Sequence, residues 1–313
     1  MIRTIVVDPH APSLLAFKEV DAPQPKPWEA LVQVKAVSLN RGEVSDAKNQ
    51  EISSRPGWDF AGIVIEPAEN GTGPKKGARV VGLLSMGAWS EQVAAPVSLL
   101  AEIPDKLTFT EAATLPVAGL TALYALRKGG MLLGKRIFIT GSSGGVGLFA
   151  HQLAVQSGAY VVGTASTEEK AELVREVGSD EVIIGYSAIS SASEFGPYDL
   201  IIDSVGGNTL AALLPQLAPQ GICVAVGFSS SNTAMIDMKN MVTSGGRTLY
   251  SFFLGEELTR QSAAEDLSLL ARLVTDERLI PRIQVEAPWT EIDTVARNLM
   301  ERKFSGKAVL HLD

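Results

Sequence analysis

A chain of 313 residues, 46% hydrophobic and 20% charged, is long enough for two domains with sizeable cores and too apolar to be disordered. Its net charge of −8, with lysines and arginines scattered along the chain, leaves no electrostatic footprint for nucleic acid or an anionic membrane, and no apolar run approaches the ~18 residues of a membrane span. The lone Cys223 excludes a disulfide within the chain, three dispersed histidines (His10, His151, His311) are too few for a His/Cys metal site, and no basic-then-apolar leader opens the sequence, so a cytoplasmic protein acting on small molecules is expected.

Residues 1–115 carry short β-rich runs broken by proline and glycine, at 2–7, 30–39, 59–66, 78–84 and 89–95. Alternation of Leu31, Gln33 and Lys35 with Val32, Val34 and Ala36 describes a strand with one wet face, and the proline-rich stretch 21–27 reads as a connector. A small β-barrel suits this composition. From Thr110 the character changes, because Glu111 marks a helix start and apolar residues continue through Leu126, with Pro116 expected to divide the stretch into two helices. Residues 136–253 then alternate strand and helix. Strands are predicted at 137–139, 160–164, 181–184, 199–205, 221–226 and 248–253, with helices at 168–177 and 209–217, which is the signature of a doubly wound parallel sheet of six strands. A long helix at 256–278, a strand at 283–285, a helix at 291–302 and a strand at 308–312 are expected to return to the first domain. The boundaries predicted are therefore 1–115, 116–256 and 257–313, with the α/β domain inserted in the other.

The turn from strand 137–139 into the following helix is almost devoid of side chains: Gly141-Ser-Ser-Gly-Gly-Val-Gly. Glycine at 144, 145 and 147 lets the backbone approach a pyrophosphate and lets the helix lie close to its strand, while free N–H groups at the helix start attract the phosphates. Ser142 stands where the G-x-G-x-x-G pattern has its first glycine. Ser142, Gly144, Gly145, Val146 and Gly147 are thus the candidate dinucleotide cradle. An NAD site would place an acidic residue about 20 residues further on to hold the ribose 2′-hydroxyl. This chain has Gly163-Thr-Ala-Ser-Thr there, and Ser166, Thr167 and Lys170 offer hydroxyls and a cation where a 2′-phosphate would lie, so NADP(H) is expected. Glu168 and Glu169 oppose a phosphate unless they point away.

These pieces, in this order, resemble the medium-chain dehydrogenase/reductases, and among them the zinc-free quinone oxidoreductases. The resemblance rests on Val37-Ser-Leu-Asn-Arg, Pro56-Gly-Trp-Asp-Phe-Ala-Gly, Gly87-Ala-Trp-Ser-Glu, the run from Ala112 to Ala122, the glycine loop, Asp203-Ser-Val-Gly-Gly and Gly306-Lys-Ala-Val-Leu. It implies a six-stranded Rossmann sheet inserted into a GroES-like domain. Where zinc enzymes of the superfamily carry a cysteine and a histidine ligand, this chain has Asn40 and Trp58. The resemblance further implies Asn40 and Thr121 beside the nicotinamide as catalytic residues, Lys170 on the 2′-phosphate, Gly227 and Phe228 at the carboxamide side, and Tyr186 on the adenosine phosphate. Asp59 is expected to be structural, for example by pairing with Arg41.

The expected function is NADPH-dependent reduction of a quinone or similar electrophilic conjugated carbonyl, without metal. Asn40 is the candidate donor to the oxygen that gains charge, and residues 45–55, which contain no aromatic, are expected to line the acceptor pocket. A quinone suits a site with no evident acid, because its hydride adduct is a phenolate that takes its proton from water. The alternatives are an enoyl or 2-alkenal double-bond reductase and a non-catalytic NADPH-binding redox sensor. The run Leu249-Tyr-Ser-Phe-Phe-Leu, at a sheet edge if the strand order is 3-2-1-4-5-6, is too apolar to stay uncovered and predicts a two-fold homodimer.

Overall fold

The computed structural model describes residues 1–243 and 245–312, the side chains of 186–188 excepted. Two units emerge, one formed by Met1–Leu120 with Leu258–Asp313, the other by Thr121–Glu257.

In the first unit β1 (Ile2–Val7) and β2 (Leu15–Val20) form an antiparallel hairpin, and β3 (Glu29–Leu39), β4 (Asp59–Glu66), β5 (Arg79–Leu83), β6 (Gln92–Pro96) and β7 (Leu100–Glu102) build a sheet around β3. β3 explains itself. Ala30, Val32, Val34 and Ala36 are buried while their alternates stay half wet, and from Val37 to Leu39 both faces are covered. There β3 pairs β4 on one side and, on the other, the last strand of the chain. β2 and β7 escape the sequence reading, since β2 buries only Leu15 and β7 has three residues, too few for a period to show. The helices of this unit before the insertion are α1 (Arg41–Asp46) and α2 (Phe109–Ala113). Thr108 and Glu111 cap α2 reciprocally, and Pro116 lies in a π-helical turn, Leu115–Gly119, that carries the chain into the next helix without the break expected there. The unit boundary lies at Leu120, beyond residue 115, because that turn remains tied to β4 by a hydrogen bond from Val117 N–H to Asp59.

The second unit begins in α3 (Leu120–Arg127) and holds six parallel strands: β8 (Arg136–Ile139), β9 (Tyr160–Ala165), β10 (Glu181–Ile184), β11 (Tyr198–Asp203), β12 (Leu217–Ala225) and β13 (Thr248–Ser251). Their order is β10-β9-β8-β11-β12-β13, the doubly wound arrangement with its switch point beside β8. α4 (Gly145–Gln156), α5 (Glu168–Glu176), α6 (Gly207–Leu213), α7 (Met238–Thr243) and α8 (Leu254–Glu257) complete it. Phe138, Val162, Tyr198, Ile201, Leu213 and Cys223 lie at its core, where burial pushes the Cys223 thiol up and makes it inert.

The long helix expected at 256–278 is two helices, α8 and α9 (Ala263–Thr275), because Ser262 caps a fresh start by accepting from Glu265 N–H. α9 belongs to the first unit, as do β14 (Ile283–Pro288), α10 (Ile292–Met300) and β15 (Lys307–His311). β15 pairs β14 in parallel and β3 antiparallel, and Ile292, Val295 and Ala296 of α10 join Trp89, Trp289 and Phe60 in the core. No described helix is long and apolar enough to cross a membrane.

Candidate functional site

In the second unit the predicted cradle is built at the C-terminal ends of β8, β9, β11 and β12. Gly141 takes a left-handed φ of 61°, and a side chain there would run into Ser204 Oγ. A Cβ at Gly147 would lie 2.6 Å from the Gly141 carbonyl oxygen and from Ser142 backbone, so only glycine lets α4 start this close to the loop. The first intrahelical bond is Leu148 N–H to Gly144 O, which leaves the N–H groups of Gly145, Val146 and Gly147 without an intrahelical acceptor. They are available to a phosphate. Ser142 differs from the expectation of a ligand-facing first position, because its hydroxyl is fully buried, donating to Ile139 O at 2.7 Å and accepting from Thr164 N–H at 2.9 Å. It ties the ends of β8 and β9 together, and no part of the residue is exposed. Thr167 caps α5 by accepting from Lys170 N–H, and Ser166 and Lys170 are half-buried beside it. Glu168 is turned to Arg175, which also holds Glu172, at 2.7 and 2.6 Å. That removes one of the two carboxylates that would oppose a phosphate.

On the other side of β8, the loops after β11 and β12 are laced by Val226 N–H to Asp203 O and by Ser229 and Ser230 N–H to Ser204 and Val205 carbonyls. A Cβ at Gly227 would meet Ser204 O at 3.1 Å, and one at Gly206, where φ is 73°, would lie 3.0 Å from Phe228 Cα. Phe228 is 71% exposed. Beneath them Asp203, fully buried, accepts from Thr140 Oγ1 at 2.7 Å and from Gly206 N–H at 2.8 Å. Burial raises the Asp203 pKa and these donors oppose the rise. Thr121, at the head of this unit, has a buried side chain. Tyr186 lies outside the residues whose side chains are described.

Asn40 belongs to the first unit, where it precedes α1, and it is the hub of a buried ionic cluster that the sequence did not announce. Its Nδ2 donates to Asp59 Oδ2 at 2.7 Å and to Glu43 Oε1 at 3.1 Å, while its Oδ1 accepts from Lys307 Nζ at 2.6 Å. Lys307 Nζ also donates to Leu39 O at 3.1 Å and lies 3.6 Å from Asp59 Oδ2. Glu43 accepts from Asn40 N–H and Trp58 N–H, and Asp59 from Val117 N–H. Asp59 therefore pairs with Lys307; the expected partner, Arg41, instead donates to the Leu299 and Met300 carbonyls at the end of α10. Asn40 is partly exposed, whereas Glu43, Asp59 and Lys307 are buried. Two carboxylates share one ammonium in a dry site, so burial and the Asp59 charge push the Glu43 carboxyl well above its ordinary range, burial raises Asp59 against the pull of Lys307, and burial lowers Lys307. One signal for Lys307 was in the sequence: a lysine opening an apolar run, Lys307-Ala-Val-Leu, has a charge that a buried strand must pair. From residues 45–55, Ser45 and Lys48 line a groove of about 260 Å³ with Leu14, Arg297 and Met300.

Comparison with known proteins adds three findings. A family model described as alcohol dehydrogenase GroES-like domain matches residues 26–105, and one described as zinc-binding dehydrogenase matches 145–272. The chain is 30% identical over 280 residues to a quinone oxidoreductase of Pseudomonas aeruginosa, covering 83% of this chain and 85% of that protein. It superposes on a mycobacterial protein solved in complex with NADPH with a TM-score of 0.87, 26% identity and full coverage of both chains, and on a 2-haloacrylate reductase with a TM-score of 0.87, 25% identity and full coverage of both.

Proposed function

The chain belongs to the medium-chain dehydrogenase/reductase superfamily, of quinone oxidoreductase type, and on that footing we propose that it is an NADPH-dependent reductase of quinones or similar conjugated carbonyls that works without a metal. The observation that carries the cofactor is the cradle at Gly141–Gly147 seen beside a full-length structural relative that holds NADPH. When bound, NADPH supplies the hydride. Gly144, Gly145, Val146 and Gly147 would hold its pyrophosphate by backbone, with Ser166, Thr167 and Lys170 at the 2′-phosphate. Gly227 and Phe228 would flank the carboxamide, and Thr121 would stand near the ring. The metal-free reading is supported by Asn40 and Trp58, neither of them a zinc ligand, at the two positions where the resemblance places zinc ligands, and by a Cys223 buried in the core.

The decisive measurement is NADPH oxidation by purified protein with a panel of ortho- and para-quinones and 2-alkenals, the same preparation being analysed for zinc. Turnover with quinones and substoichiometric zinc is expected. Turnover confined to alkenals would support the second reading, a double-bond reductase, which the likeness to a 2-haloacrylate reductase favours. Tight NADPH binding with no turnover would support the sensor. Lys170→Ala should weaken NADPH about tenfold, or ~1.4 kcal/mol, and leave NADH unchanged by fluorescence titration; equal losses for both would remove Lys170 from the phosphate.

A two-fold homodimer is part of this proposal. β13 closes one edge of the six-stranded sheet, paired among the described strands with β12 alone, and Leu249 on it and Phe253 just beyond it are exposed. An unpaired apolar edge is the surface that a second copy of the same strand covers, antiparallel across the axis. Light scattering should give twice the 33.2 kDa chain mass, and Leu249→Lys should halve it without loss of fold; a monomer at micromolar concentration would dismiss the idea.

A further inference from the structure

Asn40 is the natural candidate to steady the oxygen that gains charge in a reduction, because its amide can donate two hydrogen bonds. Both of those hydrogens already have acceptors: Asp59 Oδ2 at 2.7 Å and Glu43 Oε1 at 3.1 Å. The amide cannot turn over to release them. Exchanging its nitrogen and oxygen would set Oδ1 against two carboxylates and the NH₂ group against the Lys307 ammonium, which now sits 2.6 Å from Oδ1. Lys307 is itself committed inward: its Nζ donates to Leu39 O and Asn40 Oδ1, forms an ion pair with Asp59 Oδ2 at 3.6 Å, and is buried. Glu43 and Asp59 are acceptors in every contact that they make here. The cluster therefore turns donors inward and offers none outward.

We propose that Asn40 is a positioning residue, locked by Lys307, Asp59 and Glu43, and that the reducible molecule receives no hydrogen bond from it. This inference rests on the proposed reductase function and sharpens its substrate class. The acceptor gains a hydride from NADPH, leaving NADP⁺, and its oxygen, now negative, takes a proton from water. Without a donor from Asn40 the stability of that oxyanion falls to the substrate itself. Molecules whose reduced oxygen is a weak base, such as the phenolate of a hydroquinone, are then reduced well. Simple enals and enones, whose enolates are strong bases, are reduced poorly.

The test is a series of quinones and enones graded by the acidity of the reduced product, run on the wild type and on Asn40→Ser. The rate should fall steeply as the product oxygen becomes more basic, with the same slope in both proteins. If Asn40 were the donor, its loss would cost most, up to about 10²–10³-fold in kcat, for the substrates with the most basic product oxygen, and the steeper slope in the variant would overturn the proposal. A second readout does not depend on the variant folding. In ¹⁵N-labelled wild type with NADP⁺, the Asn40 side-chain amide protons should be slow to exchange and unmoved when a non-reacting carbonyl compound is titrated in, whereas a downfield shift of one of them would overturn the assignment. Absence of turnover across the whole series would sink the reductase reading alone, since the amide titration needs no turnover.

Discussion

Lys307→Met should destabilise the protein by about 3–5 kcal/mol in chemical denaturation at pH 7, the cost of leaving a buried charge without its partner. Lys307 is the cation that the structure places against Asp59 in the buried cluster, and its side chain is 4% exposed. The pH dependence gives the sign. Both carboxyls already have folded-state pKa values above their ordinary ones. A carboxyl raised on folding contributes stability that is present below its unfolded pKa and is lost as pH rises through its folded pKa. Removing the ammonium raises both further. The variant should therefore recover towards wild type as pH falls towards 4.5 and lose ground as pH rises. Adding Asp59→Asn should return part of the loss at pH 7. A variant that loses under 1 kcal/mol, or whose deficit is independent of pH, would contradict the account of the cluster as a charge-balanced unit.

The second large effect belongs to His151. Its ring on α4 lies against Gly163 of β9, where an added Cβ would come within 2.9 Å, and neither ring nitrogen has a hydrogen-bond partner among the described residues. Burial lowers its pKa from 6.5 to about 3. Between those values the unfolded chain binds a proton that the folded chain refuses, so stability is lost as pH falls below 6.5. At ~1.4 kcal/mol per pH unit, the loss reaches roughly 3 kcal/mol by pH 4. Glu43 works in the opposite direction over part of this range, so the measurement is a difference. Denaturation free energies of the wild type and His151→Leu should diverge steadily from pH 7 to pH 4, with the variant holding on better in acid. Parallel curves would show that His151 finds a partner or water that the fold does not reveal.

Where the sequence was legible, one local rule decided the outcome. The glycine loop can be read because Gly147 admits no Cβ beside Gly141 O, a constraint written in residue type alone. The six strands follow from alternation of apolar runs with helical spacing, their order from the doubly wound pattern that such alternation builds, and β3 from a simple period of two. What was illegible depends on residues distant in sequence. Asn40 reads as a free amide until Asp59 and Lys307, 19 and 267 positions away, are seen to hold both its ends. Ser142 reads as a substituted glycine until Thr164 is found on its hydroxyl. The capped restart at Ser262 was missed for a different reason: apolar periodicity continues on both sides, and the cap is a single hydroxyl.

The pairing of β15 with β3 also orders events during synthesis. The ribosome releases residues 121–257 as one contiguous stretch, and they can close on themselves as soon as they emerge. The first unit has no such freedom. Asn40, Glu43 and Asp59 leave the ribosome early, yet the ammonium that balances them is Lys307, almost at the other end of the chain. Until then β3 lacks its β15 neighbour and two carboxylates bound for a dry interior have no counter-charge, so the part of the protein made first is among the last to become native.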